Sequence, residues 1–254
     1  MKEQVLESPF CKKEFLELLD IVSEEKTTKF ANYAISGSSL VNIGTRDFVD
    51  YRPDISIEPQ ALKDNNISNI NFDSLHFFQV QNLVEQIDTK SVKIKKSDVA
   101  VNLILPKTYE EYLESLTKKN RHELRRKKRK FDNEIISFEL GESKEQDIFD
   151  IFISQHKESK GEKGEFMTEV VETYFRNLLN LQGWKIYYTN TDKGVLSTAF
   201  CYENDDGCYL YNSSRNNEFN SINPGIVLND LIIQQLIDRD IEITPIIILI
   251  TKSS

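Results

Sequence analysis

A chain of 254 residues, 39% hydrophobic and 29% charged, has material for one large domain or two small ones with real cores, and its composition excludes a disordered polymer. No stretch offers the roughly 20 continuous apolar residues of a membrane span, and the polar start Met1-Lys2-Glu3-Gln4 lacks a secretory leader, so the expected location is cytoplasmic. A net charge of −9 argues against general nucleic-acid binding. Three cysteines without C-x-x-C spacing predict free thiols, and scattered His76, His122 and His156 offer no zinc spacing.

In chain order, Phe15, Leu18, Leu19 and Val22 predict an amphipathic helix over residues 12–25. A short strand at residues 40–43 precedes the polar, aromatic loop GTRDFVDYRPD, and residues 54–63 form a second helix. SLHFFQV (residues 74–80) and VAVNLIL (residues 99–105) are predicted as buried strands. From Thr108 one long helix puts Tyr109, Tyr112, Leu113, Leu116, Leu124 and Phe131 on a single stripe. Its outer face holds the block KKNRHELRRKKRK (residues 118–130), nine basic side chains against one acidic, on an otherwise acidic chain.

A strand over residues 135–140 follows, then amphipathic helices over 144–159 and 166–181, the second ended by Gly183. Residues 184–190, 195–202 and 208–213 form an antiparallel meander, because TDKG and NDDG supply hairpin chemistry between them. Cys201 and Cys208 fall on neighbouring strands, not opposite one another. The segment Asn223-Pro224-Gly225 then starts a largely apolar helix to Arg239, and a further strand begins at Ile241. The N–H groups of Gly225, Ile226 and Val227 with the helix dipole make a seat for a phosphate such as the pyrophosphate of acyl-CoA; the plainer reading is a well-capped helix.

YLESLTKKNRHELRRKKRKF, ISQHKESKGEKGEF and YLYNSSRNNEFNSINPGIVLNDLIIQQLIDR resemble the FemAB-related, CelD/BcsL-like (BioF-like) acetyltransferases of the GNAT superfamily, and GTRDFVDYRPDISIEP is similar to that family's first-domain loop. The resemblance spans roughly residues 10–242. It implies an α/β (α+β) fold of tandem GNAT-like domains, residues 1–103 and 104–254, with mixed, mostly antiparallel sheets flanked by helices. It also implies transfer of an acetyl or other acyl group from acyl-CoA to an amine or hydroxyl, without a metal. The acceptor would be a small molecule or a glycan or peptide precursor of the cell envelope or a polysaccharide.

Under that resemblance His156 is a candidate general base or simply a core histidine, and Tyr211 a proton donor to the leaving sulfur or a packed strand residue. Asn223, Pro224, Gly225, Ile226, Val227 and Arg215 would hold the donor's phosphates, while Glu165 and Glu218 are weaker candidates to orient a nucleophile. Arg121 and Arg125 of the basic block would guide an anionic ligand; the alternatives are a solvated face, or a non-catalytic protein docking an anionic polymer or membrane surface. RNA is the weaker partner, because no aromatic interrupts the block. The likeness stops near Glu242, where the isoleucine-rich end departs from the family pattern. This predicts a truncated or frame-shifted member with its C-terminal domain cut short, and an aggregation hazard if that end lies on a sheet edge.

Overall fold

The apolar positions close separate cores in the computed structural model, which divides into the units Met1–Val99 and Ala100–Ser254. It describes residues 9–23, 28–30, 33–50, 52, 57, 59–87, 91–96, 102–205, 207–239 and 245–248.

In the first unit α1 (Lys13–Leu18) tightens into a 3-10 turn, Leu19–Val22, burying Phe15, Leu16 and Leu19. A four-stranded sheet in the order β1 (Thr28–Phe30), β2 (Tyr33–Ser36), β3 (Ser39–Asn42), β4 (Asn69–Asn71) is antiparallel except for the parallel β3–β4 pair. The polar loop after β3 is pinned from within. Buried Arg52 donates to the carbonyls of Ile43 and Gly44 and pairs with Asp73 at 3.1 Å. The second helix is α2 (Pro59–Asp64).

Residues 74–80, expected as a strand, instead lead into a helix, α3 (Phe77–Gln86). Gln79 decides it. Its Oε1 accepts from the His76 N–H at 2.7 Å, one arm of a capping box, and its Nε2 donates to the Arg52 carbonyl at 3.0 Å. Buried Gln79 and Leu83 stand four apart, the helical and not the strand period.

The second unit has β5 (Asn102–Ile104) within the expected strand over 99–105, of which Leu105 lies past its end and residues 99–101 lie outside the described residues. The long helix expected from Thr108 is two helices, α4 (Tyr109–Ser115) and α5 (Lys118–Glu134). Thr117 separates them because its hydroxyl accepts from the Asn120 N–H and caps a new helix, as Thr108 caps the first through Glu111. Then come β6 (Phe138–Ser143), α6 (Gln146–Lys157), the short α7 (Glu162–Phe166) and α8 (Glu169–Leu179). α8 ends at Leu179 with Asn180 as its cap, so Gly183 does not end it. At φ +85° Gly183 serves the turn into the next strand, where a Cβ would lie 2.5 Å from the Tyr202 ring.

The meander forms as β7 (Trp184–Thr191), β8 (Gly194–Asn204) and β9 (Gly207–Arg215), followed by α9 (Pro224–Asp238) and β10 (Pro245–Ile248). The sheet order is β5-β10-β9-β8-β7-β6, with β10 parallel to β9 and antiparallel to β5. Thus Pro245–Ile248 runs inside the sheet, not on its edge, with the proline at the strand's first position. Residues 241–244, where the last strand was expected to begin, lie outside the described residues.

Helices cover both faces of the sheet. Ala199, Cys201 and Cys208 pack with Leu228, Ile232 and Leu236 of α9 and with α4. Phe200 faces the other way, onto Phe152 of α6 and Phe175 of α8, beside Trp184. Double coverage explains why β8 is buried almost end to end without an apolar–polar alternation. All three cysteines are free thiols; Cys201 stands opposite Leu210, and Cys208 opposite Glu203. This is the α/β fold with mostly antiparallel sheets that the sequence predicts.

Candidate active site

The site is built on the second half of β9. In the β8–β9 register Phe200 faces Asn212 while Cys201 faces Leu210, so Tyr211 is an extra residue, a bulge. The bulge re-aims side chains. Tyr211 and Asn212 both project toward the α6–α8 side, Tyr211 against Phe175 and Trp184, Asn212 against His156. Among the described residues β10 pairs with β9 at Tyr209 and Leu210. Among the described residues, Tyr211 to Arg215 therefore has β8 on one side and no strand on the other.

The ladder's phase follows from Asn216, whose N–H donates to the Leu196 carbonyl at 2.9 Å. Alternation then turns the backbone groups of Ser213 away from β8, toward the edge that no described strand occupies. Both are met by side chains: the Ser213 N–H donates to Asn212 Oδ1 at 2.7 Å, and its carbonyl accepts from Lys163 Nζ at 2.6 Å. Buried Ser214 and Gln155 brace the same stretch at 3.2 Å from the α6 side.

His156 is 1% exposed, at the end of α6, with Phe152 and Phe166 against its ring. Nε2 lies 3.1 Å from Asn212 Oδ1, which already accepts from Ser213, so Nε2 carries the proton and donates. That leaves Nδ1 a buried acceptor without a hydrogen-bond partner among the described residues. Burial lowers the imidazole's pKa to about 4, Lys163 adds to the effect, and the Asn212 bond opposes it. The ring is neutral at physiological pH. Tyr211 is half-buried, its hydroxyl 3.0 Å from that of fully buried Tyr174. Burial and then the charge of Arg215 push Lys163 down to about 8.

Downstream, the helix start departs from its expected form. Asn223 adopts φ +56° and its side chain does not cap; the amide donates to the Ser221 carbonyl at 3.2 Å. As at other helix starts, the carbonyl of this cap residue takes the first bonds, accepting from Ile226 N–H at 3.1 Å and Val227 N–H at 3.3 Å. Of the three N–H groups expected to face a ligand, only that of Gly225 has no acceptor among the described residues. A Cβ on Gly225 would meet nothing within 4 Å. Buried Pro224 anchors the helix start, its carbonyl accepting from Ser197 Oγ at 3.1 Å.

Arg215 is exposed, its Nε donating to Asn220 Oδ1 at 2.5 Å. Glu165 and Glu218 are exposed on α7 and on the 3-10 turn after β9. Arg121 and Arg125 are not brought to this place. Phe131 packs near Val227, and Lys128 holds Asp230 at 3.0 Å, so Arg125 and Arg121 lie about 9 and 15 Å further along α5. Sequence reasoning missed Lys163, Asn212 and Ser213 as a set, although Lys163 lies within the quoted ISQHKESKGEKGEF; only the fold shows that α7 returns to β9.

The sequence matches the family described as "Acetyltransferase (GNAT) domain" over residues 118–244, from the start of α5 to the residue before β10. The chain belongs to this GNAT acetyltransferase family. Among solved structures it is similar to a conserved protein of unknown function from Bacteroides thetaiotaomicron VPI-5482, with TM-score 0.58 and 11% identity, covering 94% of this chain and 82% of that one. At such identity the likeness is one of fold. A DUF2156 C-terminal domain from Agrobacterium fabrum aligns at TM-score 0.46 and 12% identity, covering 92% and 77%. No curated protein matches the sequence. The GNAT domain implies acyl-CoA and an acceptor, and no helix among the described residues is long and apolar enough to cross a membrane.

Proposed function

We propose that the chain transfers an acetyl or other acyl group from acyl-CoA to an amine or hydroxyl, and that it belongs with the FemAB-related, CelD-like branch of its family. The observation that carries the reading is β9: bulged at Tyr211, without a second partner strand beyond Leu210 among the described residues, and leading into the open Gly225 end of α9. The Gly225 N–H and the positive end of α9 favour the donor's pyrophosphate. The edge of β9 runs alongside the pantetheine, and the thioester reaches the bulge. There the acceptor's nitrogen or oxygen attacks the carbonyl, the new C–N or C–O bond forms, the C–S bond breaks, and the thiol leaves with the proton. Tyr211, whose hydroxyl meets that of Tyr174 at 3.0 Å, is the residue at the bulge that would turn its proton to the departing sulfur. His156, neutral and buried, acts through Asn212 as a positioning residue.

Calorimetric titration of the full chain with acetyl-CoA tests the donor site. Saturable binding that weakens at least about 100-fold in Gly225→Glu, which puts a carboxylate where a phosphate should sit, supports it. No binding at millimolar acetyl-CoA would sink it. The proposed acceptor is a cell-envelope or polysaccharide precursor. A second reading, docking of an anionic polymer or membrane surface, draws on α5, where Lys118, Lys119, Arg125, Arg129 and Lys130 are exposed without an ion pair among the described residues. Steeply salt-dependent affinity lost on neutralising Arg125, Arg126 and Arg129 would favour it.

A further inference from the structure

A second bulge of the sheet lies under the start of α9. In the β7–β8 register Thr189 faces Ser197 while Asn190 faces Val195, so Leu196 is an extra residue of β8. The bulge turns Leu196 and Ser197 to the same side, Leu196 into the cluster with Val227 and Ser197 onto the Pro224 carbonyl at 3.1 Å. Thr189, directly across the ladder, holds its Oγ1 2.9 Å from Ser197 Oγ. Both side chains are fully buried. Each hydroxyl carries one proton, and that of Ser197 goes to Pro224, so Thr189 is the donor to Ser197. The hydrogen bonds therefore run one way, from Thr189 through Ser197 to the Pro224 carbonyl.

That carbonyl and the Gly225 N–H belong to one peptide unit. Amide resonance keeps the unit planar, with the N–H opposite the carbonyl, so a bond that holds one end holds the other. Polarisation passes along the same path: a donor on the oxygen makes the N–H a stronger donor in turn. This peptide has few substitutes. Pro224 carries no N–H, and the Asn223 carbonyl takes those of Ile226 and Val227, which leaves the Gly225 N–H without an acceptor among the described residues. Packing alone would be served by apolar side chains, without the cost of burying two hydroxyls. We propose that Ser197, with Thr189 behind it, is a positioning residue for the donor's pyrophosphate, holding and polarising the Pro224–Gly225 peptide so that its N–H meets a phosphate oxygen. That role rests on the acyl-CoA reading above, which puts the pyrophosphate at Gly225; Ser197 itself touches no substrate.

The test is calorimetric titration of the full chain with acetyl-CoA, beside the amide proton shift of Gly225 in the free protein. Thr189→Val keeps the shape and removes the hydroxyl, whereas Thr189→Ser keeps the hydroxyl and removes a methyl. Acetyl-CoA affinity should weaken about tenfold in Ser197→Ala and about threefold in Thr189→Val, while Thr189→Ser recovers the native value to within about twofold. The Gly225 amide proton should move upfield in Ser197→Ala and Thr189→Val and hold its place in Thr189→Ser. A merely structural role predicts the reverse order at position 189, because a buried methyl favours valine over serine. The two Thr189 variants read the site even if Ser197→Ala fails to fold. Two results would overturn the proposal and leave the donor site standing: native affinity in both Ser197→Ala and Thr189→Val, or a loss that follows Thr189→Ser instead of Thr189→Val. No acetyl-CoA binding by the native chain, or binding indifferent to Gly225→Glu, would remove the pyrophosphate site and the role of Ser197 with it.

Discussion

The second unit holds two cationic places of opposite character. The outer face of α5 gathers most of the basic block in full view of solvent, its nearest acid, Glu123, shared by Arg126 and Lys127. The edge of β9 holds Lys163 and Arg215 among the described residues, and there burial and then the charge of Arg215 lower the lysine's pKa. Charge density along a sequence and electrostatic consequence in a fold are different quantities, because water screens the first and its removal creates the second. One member of the block crosses between the two regimes. Lys128 turns inward to Asp230, 2% exposed, which also accepts from Tyr109 Oη at 2.7 Å.

That crossing gives the largest expected effect. Asp230→Ala leaves Lys128 and Tyr109 facing an apolar gap and should lower the unfolding free energy by about 3 kcal/mol in urea denaturation. Glu123→Ala, on α5 with Lys128 but in solvent, should leave the urea midpoint unmoved. Equal losses would erase the distinction between the two environments.

Next comes the acid limb. Because the folded-state pKa of His156 is lowered to about 4 from an unfolded value near 6.5, the folded protein resists protonation. The group's stabilising contribution is complete above the unfolded pKa and is lost as pH falls from 6.5 toward 4, by at most about 3 kcal/mol. Urea midpoints at pH 7 and pH 4 should fall further in the native chain than in His156→Phe. Parallel curves would mean the ring is accessible to protons. For Lys163, whose pKa is also lowered, the unfolded chain holds more protons between pH 8 and 10.5, so stability should rise there relative to Lys163→Met.

Chemistry at the bulge should respond more modestly. Tyr211→Phe keeps the ring among Phe175 and Trp184 while removing the hydroxyl, so kcat should fall about tenfold or more with acetyl-CoA affinity intact. An unchanged kcat would assign Tyr211 to packing alone. The smallest effect belongs to the exposed block: Arg121, Arg125 and Arg129 changed together to Gln should move stability by no more than about 0.5 kcal/mol.

The sequence carries the elements better than the site. The meander and the start of α9 were legible because hairpin turns and a proline at a helix's first position are local signals. Gln79 shows how locality fails: its two hydrogen bonds to His76 and Arg52 convert an aromatic run into a helix. Thr117 shows it again, splitting one apolar stripe into α4 and α5. At the candidate site, Asn223-Pro224-Gly225 was visible as a helix start, but the left-handed Asn223 backbone, with a side chain that does not cap, was not; of the three N–H groups expected to face a ligand, that of Gly225 alone has no acceptor among the described residues. Lys163 could not be found in the chain. It lies 50 residues from Ser213, in a segment whose charges look like any solvated turn.

Amide hydrogen exchange of the full chain, with and without saturating acetyl-CoA, tests the central claim most directly. The account predicts slowed exchange confined to residues 211–215 of β9 and to the Gly225 end of α9, with residues 118–130 unchanged. Protection centred on 118–130 instead, or none along β9 and α9 when acetyl-CoA is bound, would contradict it.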